Sequence, residues 1–201
     1  MPGPASGDRP SLEPGGTYRV FVGTDAAFGN IEAEWTVEGP NWVGGDYALV
    51  SDRAGESYAG FGVYQPRALA DGTGCNNDRP NPHLGQTPQG LAAQLATLPR
   101  STVVEPPTST EAFGYDAFHL RLRIDVDCPG WYRVAQAASG DRGITYPGVD
   151  DIPKNVVIDF WVLDLGGPPV VVDEWHNIDA PPELVDEATR ARDSITFVTS
   201  E

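Results

Sequence analysis

The sequence predicts an α+β domain in which a largely antiparallel sheet is flanked by two helices. Several segments alternate apolar and polar residues with a period of two, which is typical of half-buried strands. Only two segments have the spacing of an amphipathic helix. Glycine and proline, with 23 and 19 copies in 201 residues, separate these segments. Because 40% of the residues are hydrophobic, we expect one core and a single domain over residues 17–201.

The first sixteen residues, MPGPASGDRPSLEPGG, contain four prolines and four glycines and little that can pack. They lack the basic and apolar regions of a secretory signal. We therefore expect residues 1–16 to form a flexible lead-in to the domain.

Four segments in the first third of the chain predict strands. TYRVFV begins at Thr17, and residues 47–50 and 57–64 are further candidates. The remaining segment alternates with the charged residues Glu32 and Glu34, and its apolar members are Ile31, Ala33, Trp35 and Val37. This pattern places one side of each strand on a core and the other toward solvent.

The clearest alternation is FHLRLRIDV, residues 118–126, in which every second side chain from Phe118 onward is apolar. Residues 156–163 and 170–175 are rich in β-branched and aromatic residues, and Gly166, Gly167 and two prolines lie between them. These two segments predict a hairpin.

Both predicted helices have recognisable ends. In TPQGLAAQLATL, Thr87 is the expected N-cap and Pro88 the first helical residue, and Pro99 follows the apolar positions. The second helix is predicted over residues 181–193, with acidic residues at its start and arginines at its end. Its expected buried stripe is Leu184, Ala188, Ala191 and Ile195.

Asp173, Glu174 and His176, near the end of the hairpin, are candidates for a metal or acid–base site. Because side chains alternate along a strand, Glu174 and His176 share one face while Asp173 lies on the other. Two ligands are too few for a tetrahedral zinc site, and His83 and His119 lie in other segments. We therefore expect a structural or solvated role for these residues, with no metal and no cofactor.

No segment predicts a catalytic residue. The chain has no Gly-x-Ser-x-Gly motif, and its cysteines lack the flanking pattern of a thiol protease. Carboxylate neighbours such as Asp125 with Asp127 and Asp150 with Asp151 are expected by composition among 29 acidic residues. Five tryptophans could serve a binding groove. Trp42 and Trp131, which lie beside Pro or Gly in predicted loops, are the candidates for surface binding.

The charge narrows the choice of partners. A net charge of −16 disfavours nucleic acid and anionic membrane surfaces, because both would repel the chain. The apolar runs are far shorter than the roughly 20 residues that span a bilayer. We expect a monomer with no direct membrane span.

The two cysteines, Cys75 and Cys128, allow one disulfide. Cys128 ends the clearest strand, and both cysteines lie beside turns that contain Gly or Pro. Two free thiols in a cytosolic protein are the alternative.

Several motifs resemble a family of largely uncharacterised secreted, lipid-anchored or membrane-tethered domains of high-GC Gram-positive bacteria. The motifs are GCNN at Cys75, the Leu/Ala helix, the strand that closes at Cys128, WVLD from Trp161, and DSITF from Asp193. At a greater distance the arrangement is similar to the PsbP-like and LpqN-like α/β/α sandwiches. The resemblance implies an oxidising compartment, and hence a Cys75–Cys128 disulfide.

The resemblance also implies a function. We expect a non-catalytic domain, extracellular or at the cell surface, that binds an envelope ligand or a protein partner as a sensor-type module. A hydrolase acting on envelope polymers through acids such as Asp150, Asp151 or Asp173 is the alternative from another class. An intracellular adaptor of the same fold is a third, which reduced thiols and a cytoplasmic location would favour.

Overall fold

The computed structural model of the chain describes residues 11–25, 29–44, 47–51, 57–75, 78–125, 131–137, 140–145 and 155–200. The helices are α1 (Pro88–Leu95) and α2 (Pro182–Asp193). The first strands are β1 (Thr17–Asp25), β2 (Gly29–Thr36), β3 (Trp42–Gly44), β4 (Tyr47–Ser51), β5 (Tyr58–Tyr64) and β6 (Pro66–Leu69). The later strands are β7 (Ser101–Ala112), β8 (Tyr115–Asp125), β9 (Trp131–Ala137), β10 (Gly140–Thr145), β11 (Asn155–Leu163), β12 (Val170–Asn177) and β13 (Thr196–Ser200).

The predicted α+β class is confirmed, since the described strands pair antiparallel throughout and two helices pack on them. A central sheet has the strand order β3-β4-β5-β12-β11-β8-β7. Two smaller sheets have the orders β1-β2-β13 and β10-β9-β6. The predicted hairpin, β11 with β12, lies in the middle of the central sheet between β8 and β5.

One face of the central sheet is apolar across β8 and β11. We call it the apolar face, and it comprises Leu120, Leu122, Ile124, Ile158 and Phe160, all fully buried. It packs against the buried residues of α1 and against Tyr132 and Val134 of β9. This cluster is one layer of the core, and it follows from the alternation in the sequence.

The opposite face packs against α2 and the β1-β2-β13 sheet. Phe61 and Val63 of β5 meet Ile31, Ala33 and Trp35 of β2 in this second layer. The predicted stripe of α2 is confirmed, because Leu184, Ala188, Ala191 and Ile195 are all buried here.

Both helices begin where the sequence predicts. The Thr87 side chain accepts a hydrogen bond from the Gly90 backbone at 3.1 Å, and Pro88 is the first residue of α1. In α2, Glu183 lies in the first turn while Arg190 and Arg192 lie in the last, as the helix dipole favours.

The folded part begins earlier than the predicted boundary at residue 17. Leu12 is buried in the second layer, and its backbone donates to the Trp42 carbonyl at 2.8 Å. Ser11 forms a bridge with Val43. An apolar side chain among prolines and glycines was therefore enough to anchor this end of the lead-in.

The long edge strand β7 was not predicted, because Pro106 and Pro107 interrupt it and its side chains do not alternate. It is joined to β8 by a two-residue turn in which Phe113 and Gly114 have φ of 55° and 82°. Positive φ at both turn residues matches the strand twist of a tight hairpin. The turn therefore fixes the register as far as Thr108 opposite His119, and a shift between Glu105 and Thr108 then places Glu105 of β7 opposite Arg121 of β8.

Candidate functional site: a polar cavity beside helix α2

Polar side chains from four neighbouring strands meet on the face of the central sheet that carries α2. In the strand register Glu105 lies opposite Arg121, Arg121 opposite Asp159, and Asp159 opposite Glu174. His119 lies two residues before Arg121 on the same face. We call Glu105, His119, Arg121, Asp159, Glu174 and the α2 residue Arg192 the polar cluster.

Asp159 is the centre of the polar cluster. The Arg121 Nε donates to both of its carboxylate oxygens, at 2.9 and 3.0 Å, and the His119 Nε2 lies 2.6 Å from Oδ1. Burial alone would raise the pKa of Asp159, but the hydrogen bonds from His119 and Arg121 and the charge of Arg121 outweigh it. The pKa of Asp159 therefore lies below its ordinary value.

Arg121 also binds Glu105, with Nη1 donating to Oε1 at 2.8 Å. Burial alone would lower the pKa of Arg121, but the hydrogen bond to Asp159 and the charges of Asp159 and Glu105 raise it. The guanidinium therefore stays charged and bridges two carboxylates from different strands.

Glu174 ties the sheet to α2. The Arg192 Nη1 lies 2.6 Å from its Oε2, and the Thr189 hydroxyl donates to Oε1 at 2.6 Å. Its side chain is only 8% exposed. Burial raises the pKa of Glu174 above its ordinary value, although the charge of Arg192 and the Thr189 hydrogen bond oppose the shift.

Trp161 of β11 contacts two members of the polar cluster, Arg192 and His119. The Arg192 guanidinium carbon lies 4.5 Å from the centre of its ring, a cation–π distance. The His119 ring lies 5.0 Å away at 33°, and Phe113 meets it edge-on at 6.0 Å. These contacts hold the orientations of His119 and Arg192.

The polar cluster lines a cavity of about 600 Å³ between β7, the sheet and α2. Trp161, His176, Val185 and Thr189 complete its floor and sides, and Pro106, Thr108, Ser109 and Thr110 line it on β7. Its volume falls in the range of about 300–1,000 Å³ that is typical of small-molecule sites. Such an arrangement can bind a polar molecule through several hydrogen bonds at once.

The predicted surroundings of Glu174 and His176 need correction. The interpretation placed them at the polar end of a hairpin, whereas β12 is a central strand and both residues line the cavity. His119, assigned to an unrelated segment, lies on the same face because β8 pairs with β11. Asp173 lies on the opposite face and is fully buried, so it does not reach the cavity.

The surface role predicted for Trp42 is wrong. Its ring is fully buried against Phe61, and its Nε1 donates to Glu187 of α2 at 2.7 Å. A loop position beside Pro and Gly thus belongs to the core, because β3 pairs with β4 and α2 covers it. The other candidate, Trp131, begins β9, and its side chain is outside the part of the chain that the structure describes.

Several other predictions also fall outside the described residues. Cys128, Asp127, Asp150 and Asp151 are among them, so the disulfide and both carboxylate pairs stay predictions. The structure does place Cys75 in a backbone bridge with Tyr132, four residues after Cys128 in the chain.

The sequence contained one signal for the polar cluster. Asp159 is the one charged residue of VVIDFWVL, and Glu174 follows Asp173 between three valines and a tryptophan in VVVDEW; both segments have the composition of buried strands. A buried carboxylate needs a partner, and His119, Arg121 and Arg123 alternate along another predicted strand. What the sequence did not reveal was that these strands are neighbours.

Comparisons with known proteins do not assign the chain to a family. No protein-family model and no curated protein matches it. One solved structure to which it is similar is that of LpqN, involved in cell envelope biogenesis of Mycobacterium tuberculosis. The TM-score is 0.34 with 11% identity, over 95% of this chain and 90% of that chain. This likeness is too low to assign a function.

Membrane-spanning helices and metal-ligating groups can be assessed for the described residues. Neither α1 nor α2 is long and apolar enough to cross a bilayer. Within the same part of the chain, no group of three His, Cys, Asp or Glu residues has an arrangement that could hold a metal ion.

Proposed function

We propose that this chain is a non-catalytic extracytoplasmic binding domain that takes a small polar ligand of the cell envelope into the cavity beside α2. The observation that carries the proposal is the polar cluster itself. Burying Asp159 and Glu174 in a sheet costs desolvation free energy, and apolar residues there would pack at least as well. Such a costly arrangement, open to a cavity, favours recognition of a ligand.

The route into the cavity supports the same proposal. Asp159 and Glu174, at the back, are 11% and 8% exposed, whereas Arg121 and Glu105, toward the edge strand, are 40% and 47% exposed. A ligand would therefore enter from the β7 side and meet side chains already held by their neighbours. Groups that are ordered before binding lose little conformational entropy when a ligand arrives.

The extracytoplasmic location rests on the proposed Cys75–Cys128 disulfide. The bridge between Cys75 and Tyr132 fixes the loop before α1 beside β9, and Gly74 accepts a further hydrogen bond from the Arg133 backbone at 2.8 Å. Cys128 precedes Tyr132 by only four residues in the chain, and this short separation supports the proposed disulfide.

The cavity can be tested by recording amide chemical shifts of ¹⁵N-labelled protein with a library of small polar compounds. We expect shifts to concentrate at His119, Asp159, Glu174 and Thr189. Thr108→Trp, which fills the cavity at the exposed edge, should abolish them. Thr102→Trp, on the same strand but outside the cavity, is the matched control and should preserve them.

Shifts that lie elsewhere on the protein, or that survive Thr108→Trp unchanged, would contradict the proposal. So would a library in which no compound perturbs the cavity residues.

The extracytoplasmic location can be tested by measuring the intact mass of the native protein after alkylation, with and without prior reduction. A disulfide predicts alkylation only after reduction. Two alkylated cysteines in the unreduced protein would exclude the bridge and favour the intracellular adaptor.

One observation favours a second function, a hydrolase acting on envelope polymers. Asp159 and Glu174 are directly opposite across β11 and β12, and their surroundings shift the two pKa values in opposite directions. An acid and a base in one site need this difference. However, Arg192 and Thr189 bind both oxygens of Glu174, which leaves it poorly placed to donate a proton. Release of reducing ends from a cell-wall polysaccharide, abolished by Glu174→Gln, would establish this function instead.

A further inference from the structure

We infer that the ligand of the cavity is neutral and rich in hydroxyl groups, of the carbohydrate class. This inference rests on the proposed binding function and specifies its ligand. It follows from how the charges of the polar cluster are arranged and from which hydrogen-bonding atoms those charges leave free.

The charged groups of the polar cluster already pair with one another. Arg121 pairs with Asp159 and Glu105, and Arg192 pairs with Glu174 and with Asp193, so the carboxylates outnumber the arginines. An anionic ligand would add negative charge where carboxylates already outnumber arginines, and a cationic ligand would compete with the arginines for their carboxylates. Either change would weaken the pairs of Asp159 and Glu174, whose carboxylates are 11% and 8% exposed, and this is costly. A neutral ligand leaves every pair intact.

The cavity still has free donors and acceptors after these pairs are formed. Among the described residues, no atom accepts a hydrogen bond from the Arg121 Nη2, so this nitrogen remains a donor. The Glu105 Oε2 is 3.8 Å from the His119 Nδ1, too far for a hydrogen bond, so this oxygen remains an acceptor. A hydroxyl group can accept from the first and donate to the second.

His176 and Thr108 extend the same pattern. The His176 Nδ1 lies 2.7 Å from the Asn177 carbonyl, so this nitrogen donates to it, and the Nε2 of that tautomer is an acceptor. Thr108, opposite His119 on β7, also lines the cavity, and its hydroxyl donates to the Pro106 carbonyl at 3.0 Å and keeps lone pairs that can accept. Donors and acceptors are therefore mixed around the cavity, which suits several hydroxyl groups better than one carboxylate or one ammonium.

The apolar part of the lining is small. Trp161, Val185 and Pro106 provide it, and both Arg192 and His119 already cover part of the Trp161 ring. A long alkyl chain would have little surface on which to pack. A volume of about 600 Å³ accommodates a short saccharide, whose ring C–H groups need only a modest apolar wall.

A set of probes with the same ring and different charge tests the inference. Glucose, glucuronate and glucosamine differ at one substituent, as do galactose, galacturonate and galactosamine. Amide-shift titrations of the whole chain should give saturable changes at the cavity residues for a neutral member. We expect both charged relatives of that member to bind about tenfold more weakly, since each disturbs an ion pair.

A charge variant provides the second measurement. Glu105→Gln removes one negative charge at an exposed position and leaves Arg121 paired with Asp159 alone. It should raise the affinity for the acidic sugar relative to the neutral sugar by about threefold, the scale of an exposed ion pair. The control is Glu111→Gln, a residue at the far end of β7 that is outside the cavity lining; it should leave the ratio unchanged.

The outcomes separate this inference from the proposed function. If an acidic or basic sugar binds the cavity of the unaltered protein more tightly than its neutral relative, the ligand class is wrong and the binding function stands. If no sugar shifts the amide signals of the cavity residues while a compound of the polar library does, the ligand class is again wrong and the binding function stands. If neither probes nor library reach the cavity, both proposals fail.

Discussion

The two faces of strands β8 and β11 are built from alternate residues of the same segments, yet they differ in polarity, burial and contacts. On the apolar face, Leu120, Ile158 and Phe160 are fully buried and meet other apolar side chains. On the other face, His119, Arg121 and Asp159 bind one another through hydrogen bonds and face a cavity. The first face stabilises the fold through burial, whereas the second holds polar groups in place at a cost in stability.

This difference teaches that the alternation of a strand does not by itself define a solvated side. In β8 the polar residues look like a surface pattern, but α2 and β7 partly enclose them. Five changes test how far the two faces differ, beginning with the largest expected effect.

Leu120→Asp should lower the free energy of unfolding by about 4 kcal/mol or more, because it places an unpaired charge in the core. Chemical denaturation measures this loss. Leu120→Ala measures the effect of lost apolar volume without a charge and should cost about 3 kcal/mol. If Leu120→Asp costs no more than Leu120→Ala, the apolar face is not the buried layer described here.

Gly74→Ala should cost about 2–4 kcal/mol, since the new Cβ would overlap the ring of Tyr132, which packs on the apolar face. Gly74 also has a φ of +75°, which alone disfavours alanine by about 1 kcal/mol. Gly15 has almost the same φ, +76°, and open space around it, so Gly15→Ala measures the backbone effect alone. Equal losses in thermal or chemical unfolding would show that Tyr132 can move aside.

Arg121→Gln should cost about 1–2 kcal/mol, less than a fully buried pair because the arginine is 40% exposed. Asp159 would keep His119 but lose its two bonds from the guanidinium. Arg123→Gln is the matched control on the same strand face, where Arg123 and Asp125 are 44% and 49% exposed, and it should cost less than about 0.5 kcal/mol. A loss as small for Arg121 as for Arg123 would mean that the polar cluster is an ordinary solvated surface.

Glu174 and Asp159 should give opposite pH dependences. Because the folded pKa of Glu174 is raised above 4.5, its favourable contribution is present below pH 4.5 and is lost as the pH rises through the folded value. Glu174→Gln should remove this decline, so the variant gains stability relative to the unaltered protein above pH 4.5. Denaturation midpoints from about pH 3 to about pH 8 measure the effect.

Asp159→Asn should change the pH dependence of stability in the opposite direction. The folded pKa of Asp159 lies below 3.8, so its contribution is present above that pH and is lost as the pH falls through the folded value. The advantage of the unaltered protein over Asp159→Asn should therefore shrink in acid. Parallel pH profiles for both variants would contradict the assigned environments.

The sequence was a good guide wherever a local rule decides the structure. The cap at Thr87, the stripe of α2 and the buried set Leu120, Leu122 and Ile124 depend on neighbours in the chain, and all were predicted. Trp42 and Glu174 were misplaced because their surroundings come from α2 and from strands distant in sequence. The polar cluster depends on strand order, which alternation cannot supply.

The Phe113–Gly114 turn has a consequence for the speed of folding. It joins β7 and β8 through the shortest connection a hairpin allows, so this pairing loses little chain entropy when it closes. By contrast, β12 must find β5, and β13 must find β2, across most of the chain. Contacts so distant in sequence slow folding, so we expect the β7–β8 hairpin to gain protection from hydrogen exchange early and the β5–β12 seam late. The cavity also needs β11, β12 and α2, so it would form after the β7–β8 hairpin.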